Sequence, residues 1–418
     1  MAFLPHARRW SVLAVLVACL LLPPRSGALP IATDYAEPEW QICLDWTRQD
    51  GENAELTDTG NNLGIPDRDQ NARKEYEETL KTYRELARKD PETYLPYLAV
   101  TLNELGILDS DQSRREDARK KFEEALKIYR ELEQKNPVRY LPNLAATLNN
   151  LGILDSDKNL TEEALKTFRE LAQKNPETYL PQVAITLNNL GILDGAQNRV
   201  NEARKEHEEA LKTYRKLAYK DSETYPPYVA MTLDNLALLD SSQNRMKGAR
   251  KEYEDALKIY HELADKNPEM YLPYVAKTLN NLGMLDRNQS RIEEALKTYR
   301  ELAQKDPQTF LPRVALTLNN LGILDSTRNR MKEARNEYEE ALKTYRELAR
   351  KNPETYLPDV AMTLNNLGIL DRDRNRIEEA RKEYEEALKI YEDFAKEDPE
   401  QFTTDVQRLK KLLEELPK

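Results

Sequence analysis

Acid–base, metal and nucleophilic chemistry each need particular side chains within a few ångströms of one another, and this sequence offers few of them. Beyond the first 28 residues the only histidines are His207 and His261. They stand at different places in a recurring pattern, where sister copies carry Tyr and Arg, and neither has Cys, His or acidic neighbours at metal-ligand spacing. The 74 Asp and Glu residues run as i,i+1 and i,i+4 neighbours interleaved with Lys and Arg, as in residues 379–389, which describes solvated helix faces and not a carboxylate pair in a pocket. There is no glycine-rich phosphate loop, Gly-x-Ser-x-Gly elbow or Cys–His arrangement. The expectation is a non-enzyme with no metal and no cofactor. The net charge of -11, without a long basic run, argues against nucleic acid as a partner. What does recur is the carboxamide: Asn103, Asn149, Asn188, Asn280, Asn319 and Asn365, with Asp234 in the one exceptional copy. Each Asn has two donors and an acceptor, so a row of them can pair with the backbone of an extended peptide.

The elements that hold this row follow from its spacing. Thr-Leu-Asn-x-Leu-Gly starts at Thr101, Thr147, Thr186, Thr278, Thr317 and Thr363, with Thr-Leu-Asp-Asn-Leu-Ala at Thr232, at intervals of 46, 39, 46, 46, 39 and 46 residues. A period of this size marks stacked two-element units, none able to bury its apolar face alone. In the last copy Val360, Ala361, Leu364, Leu367 and Gly368 form the stripe of a helix A after Pro353, which stops the previous helix, and Pro358, placed in the first turn. Helix A ends near Asp371. Asn375 with Glu378, and Ser290 with Glu293, have capping-box spacing for a helix B, here residues 376–396. Its buried face is Ile377, Ala380, Tyr384, Ala387, Leu388 and Tyr391. Gly368 allows close approach of the two helices. The long copies add seven residues to helix B, about 700° of turn, so the apolar face is kept while the helix grows by about 10 Å. The pattern 46-39-46 occurs twice, so the array reads as a duplicated three-repeat block.

Leu367-Gly368, Ala380, Tyr384 and Ala387, and in a short copy Leu282-Gly283, Ala295, Tyr299 and Pro307, resemble the tetratricopeptide repeat. The wording from Val275 to Leu282 is similar to its kinesin-light-chain type. The resemblance implies an all-α fold: a right-handed α-solenoid of antiparallel helix pairs, with about seven full repeats, a degenerate N-terminal copy and a C-terminal capping helix. It departs from the family where helix A ends, with Asp109, Asp155, Asp194, Asp240, Asp286, Asp325 and Asp371 in place of an aromatic. A loop arginine such as Arg291 or Arg376 is expected to pair with this Asp. In such solenoids helix A lines the concave face. That places the Asn row there, beside Ile153, Ile192, Met284, Ile323 and Ile369, as the expected ligand-binding set. The competing use of the Asn residues is to bond neighbouring helices together. The residue before each Thr varies: Val100, Ala146, Ile185, Met231, Lys277, Leu316 and Met362.

The expected organisation is a signal peptide over 1–28, an acidic disordered linker over 29–55, the repeat array over 56–402 and a capping helix over 403–418. Arg8, Arg9, the apolar run 10–22 and Ser26-Gly27-Ala28 have the layout of a secretory signal, which directs the chain to the secretory pathway or out of the cell. The alternative is a membrane anchor at 10–22. Cleavage would leave Cys43 as the single cysteine, so the fold needs no internal disulfide. Asn159-Leu160-Thr161 and Asn288-Gln289-Ser290 are N-glycosylation sequons, Asn159 and Asn288 being the acceptors. Leu44-Asp45-Trp46 resembles the Leu-acidic-Trp core of peptides that bind kinesin-light-chain-type grooves, and so is a candidate intramolecular ligand. The expected function is a non-catalytic scaffold for a protein or extended peptide. The alternatives are a self-assembling structural module and a substrate-binding accessory to an enzyme.

Overall fold

The computed structural model describes residues 66–111, 114–397 and 399–417. Among the described residues there are sixteen α-helices and no strand, so the fold class is all-α, an α-solenoid of consecutive helix hairpins. After α1 (Pro66–Lys89) come seven A–B pairs: α2 (Pro91–Asp111) with α3 (Arg115–Lys135), α4 (Pro137–Asp155) with α5 (Lys158–Lys174), and α6 (Pro176–Ala196) with α7 (Val200–Lys220). Then follow α8 (Pro226–Ser242) with α9 (Met246–Ala264), α10 (Pro268–Asp286) with α11 (Gln289–Lys305), α12 (Pro307–Thr327) with α13 (Met331–Lys351), and α14 (Pro353–Asp373) with α15 (Ile377–Glu397). The last helix is α16 (Pro399–Glu415). The short B helices α5 and α11 each have 17 residues against 21 in α7 and α13, so the long copies gain four residues in helix B and not the expected seven; two more lengthen helix A, with 21 residues in α6 and α12 against 19 in α4 and α10. The chain divides into two compact units, the second beginning at Asp240 near the end of α8. Within each, helices pack on their sequence neighbours. The expected signal segment, linker, degenerate first helix A, Cys43 and Leu44-Asp45-Trp46 lie outside the described residues.

The sequence dictates where the helices start, though not as the capping spacing suggests. Pro353 does not merely stop α13. It is the first residue of α14, and Asn352 ahead of it accepts from the backbone N–H of Thr355 at 3.4 Å. The same arrangement caps α4, α6, α10 and α12 through Asn136, Asn175, Asn267 and Asp306. A first-turn proline gives up no needed donor. Pro358 is therefore inside the helix, five residues further on. Asn375 is no cap either. It has a φ of 59°, the left-handed turn residue between α14 and α15, where Asn is tolerated. Asn198, Asn244 and Asn329 do the same in three other long copies. Ser290 is the second residue of α11, whose N-cap Asn288 makes no side-chain capping bond.

The core is a seam between A and B helices. Ala380, Tyr384, Ala387 and Tyr391 of α15 are buried, as are Val360, Ala361, Leu364 and Leu367 of α14. A Cβ on Gly368 would meet the Tyr384 ring at 2.5 Å, so the missing side chain is what lets that ring seat. In α16, Phe402 and Leu409 are buried, Val406, Leu412 and Leu413 half-buried, and Lys410 and Lys411 exposed. A helix with one apolar face and charge on the other can end such a stack. No helix among the described residues is long and apolar enough to cross a membrane.

Candidate functional site

The expected binding row sits on the A helices, and its side chains are buried. Thr101, Thr147, Thr186, Thr232, Thr317 and Thr363 turn their hydroxyls back to their own helices, Thr186 to the Gln182 carbonyl and Thr363 to the Asp359 carbonyl, both at 2.8 Å. Asn103, Asn149, Asn188, Asn280, Asn319 and Asn365 are all buried. Most of them bond to the next repeat. Asn103 Oδ1 accepts from Asn150 Nδ2 at 3.3 Å, Asn149 Oδ1 from Asn189 Nδ2 at 3.2 Å, Asn188 Oδ1 from Asn235 Nδ2 at 3.1 Å and Asn280 Oδ1 from Asn320 Nδ2 at 3.1 Å. Asn319 Nδ2 donates to Thr363 Oγ1 at 2.8 Å. The paired Asn positions thus form rungs between successive A helices, and the row is one continuous polar seam inside each unit. The apolar residues beside it divide: Ile153, Met284 and Ile323 are buried, while Ile192 and Ile369 are partly exposed.

What faces solvent on the same helices is the residue before the Thr. Val100 is 45% exposed. Ala146, Lys277, Leu316 and Met362 are partly exposed, whereas Ile185 and Met231 are buried.

The Asp that ends each helix A is the second buried polar group. Asp371 has no exposed surface, and both Arg376 of its own loop and Arg335 of the preceding B helix are hydrogen-bonded to it. Asp194 is held likewise by Arg199 and by Lys158, the latter at 2.8 Å. Asp109 takes Arg114 at 2.7 Å, Arg73 at 3.1 Å and Lys121. Burial pushes the Asp109 carboxyl up, but the hydrogen bonds from Lys121 and Arg114 outweigh it and its pKa lies below the ordinary value. In the short copies the Asp is less buried: Asp155 pairs with Arg119 at 2.6 Å, Asp286 with Arg291 at 2.5 Å. The loop-arginine pairing is the one expected from sequence. The partner from the preceding B helix, 36 residues earlier, was not expected, although a basic residue stands at that distance as Arg73, Arg119, Lys158, Arg204, Arg250 and Arg335, with Gln289 before Asp325 as the exception. Unfavourable at a free helix end, the Asp here ties one hairpin to the last.

The remaining candidates are quickly placed. His207 is buried against Gly191, in the position that Tyr384 holds opposite Gly368, and His207 Nδ1 lies 3.1 Å from Asn188 Oδ1. That oxygen can only accept, so Nδ1 carries the hydrogen. Burial pushes the imidazole down to about 4. His261 is exposed on α9. Among the described residues no group of three or more His, Cys, Asp or Glu side chains could hold a metal ion. Both sequon asparagines are exposed. Asn288 precedes α11 in extended backbone, and Asn159 is in the first turn of α5, with its Thr161 buried.

No curated protein matches the chain significantly. Solved structures that resemble it include BtubC (BKLC) from P. vanneervenii, at 23% identity and a TM-score of 0.44 over 57% of this chain and 91% of that one. Apo RapI is 18% identical, with a TM-score of 0.46 over 67% and 94%. The quorum sensor NprR from B. thuringiensis, in its apo form, is 18% identical, with a TM-score of 0.44 over 73% and 82%. Family models for the tetratricopeptide repeat match residues 274–347 and residues 98–136, 183–218, 229–268 and 360–393. Together these segments cover more than half of the 418 residues, and with hairpin packing on hairpin throughout each unit, the chain belongs to the tetratricopeptide repeat family.

Proposed function

We propose that the chain is a non-catalytic scaffold that holds a protein or an extended peptide along the outer side of its A helices. One contrast carries the reading. From the Thr onward, the A helices repeat nearly the same residues, most of them buried. Immediately before the Thr, at the edge of that buried block, the residue changes from copy to copy: Lys277, Leu316 and Met362 in the second unit, Val100 and Ala146 in the first. A constant interior under a varying outer position suits a surface that discriminates one ligand from another. The Asn rungs then act indirectly, by fixing the spacing at which those outer residues are presented. A second reading, self-assembly through repeat edges, is favoured by two large apolar residues left in solvent at helix ends, Tyr219 and Val138.

The test starts from peptides selected on the immobilised full chain from a random library, with affinities measured by calorimetry. The double variant Leu316→Glu, Met362→Glu should weaken the selected peptides at least about tenfold, or 1.4 kcal/mol. Unchanged affinity with unchanged helicity would remove these positions from the site.

A further inference from the structure

The residue that directly follows each helix A changes character along the chain. In order it is Gln112, Ser156, Gln197 and Gln243, then Arg287, Arg328 and Arg374. The fold itself does not require the charge, because Ser156 and Gln197 close α4 and α6 at the place where the three arginines close α10, α12 and α14. Arg287, Arg328 and Arg374 are exposed, and none of them forms an ion pair among the described residues.

The carboxylates at these helix ends are already held by other cations. Asp286 pairs with Arg291 and Arg250, Asp325 with Arg330, Asp371 with Arg376 and Arg335, and Asp373 with Arg372. Arg328 is fixed by neutral groups only: Nη2 donates to the Arg287 carbonyl and Nη1 to Gln289 Oε1, the latter at 3.3 Å. That contact joins two connections, so Arg287 and Arg328 lie on one surface. The Asn280–Asn320 and Asn319–Thr363 bonds set α10, α12 and α14 side by side, at steps of about 10 Å. Arg374 therefore stands one step beyond Arg328.

We propose that Arg287, Arg328 and Arg374 form a docking edge on the second unit for an acidic segment of a partner protein, bound extended, with a carboxylate at every third residue. Three residues of extended chain span about 10 Å, which matches the step between arginines. A guanidinium can grip each carboxylate through two parallel N–H groups. A nucleic acid suits the edge less. Exposed Glu333 opens α13 and exposed Glu378 and Glu379 open α15, so the positive charge comes as separate points and not as a stripe for a phosphate backbone. None of the residues before the Thr takes part.

Fluorescence anisotropy on the full chain at low salt tests this with a labelled dodecapeptide carrying Glu at every third position and Ser between. It should bind with a Kd below about 1 mM, and its Gln counterpart should not. The triple variant Arg287→Ser, Arg328→Gln, Arg374→Gln restores the residue types of the earlier copies and should weaken the peptide at least about fivefold with helicity unchanged. Arg374→Gln alone should weaken it about twofold. Failure of the unmodified chain to bind the Glu peptide, equal affinity in the variants, or tighter binding of an oligouridylate of equal charge would overturn the proposal.

Discussion

The Asn280–Asn320 rung decides whether the recurring carboxamides are structure or ligand contact. Asn280 is buried; its Oδ1 accepts from Asn320 Nδ2 at 3.1 Å and its Nδ2 lies 3.4 Å from Asn281 Oδ1. Asn280→Ala leaves the Asn320 amide as an unpaired buried donor, which costs about 1–3 kcal/mol. Asn320→Ala strands the Asn280 carbonyl at a similar cost. In the double variant neither orphan exists, so it should be less destabilised than the sum of the two by about 1 kcal/mol. Native-state hydrogen exchange across α10, α11 and α12 reads this locally, which matters because a repeat array need not unfold as one unit. Each kcal/mol appears as about a fivefold faster exchange. Single variants that exchange like the unmodified chain yet lose a selected peptide would refute the structural account and return the amides to the binding surface.

Three further outcomes follow from the same geometry. Asp371→Ala leaves Arg335 and Arg376 without the carboxylate they share and should cost about 3–5 kcal/mol in urea unfolding, whereas exposed Asp373→Asn should change stability by less than about 0.5 kcal/mol. His207 is neutral in the fold, with its pKa at about 4 against an ordinary 6.5, so its contribution is complete above pH 6.5 and is lost as pH falls through about 4. The loss approaches about 3 kcal/mol at most, and His207→Tyr should remove this part of the acid sensitivity measured by urea midpoints from pH 7 to 4. If the chain self-assembles, light scattering should show a dimer or larger species that Tyr219→Ser with Val138→Ser converts to monomer; a monomer from the start eliminates that reading.

Much of the fold was legible because repetition multiplies weak signals. One Leu-Gly pair says little, but six in a register of 46 and 39 residues, each followed by Ala and then by Tyr, Phe or, once, His207 at fixed distance, point to one way of pairing two helices. Gly368 under Tyr384 is that pairing made concrete. Helix starts were misjudged where two residues compete for one role. Asn352 and Asn375 both look like caps, and only the backbone decides that the first caps α14 while the second makes a left-handed turn. The Asn row was visible as a row, but its direction was not: whether an amide points outward or towards the next helix depends on how hairpins are stacked, which no local pattern encodes.

The most direct measurement is photo-crosslinking to a selected peptide, with a benzophenone amino acid placed in turn at Leu316, at Met362 and at exposed Lys343 on the B helix α13. The scaffold account predicts crosslinks from the two helix A positions and none from Lys343. Capture at Lys343 alone, or equally from all three, would contradict it.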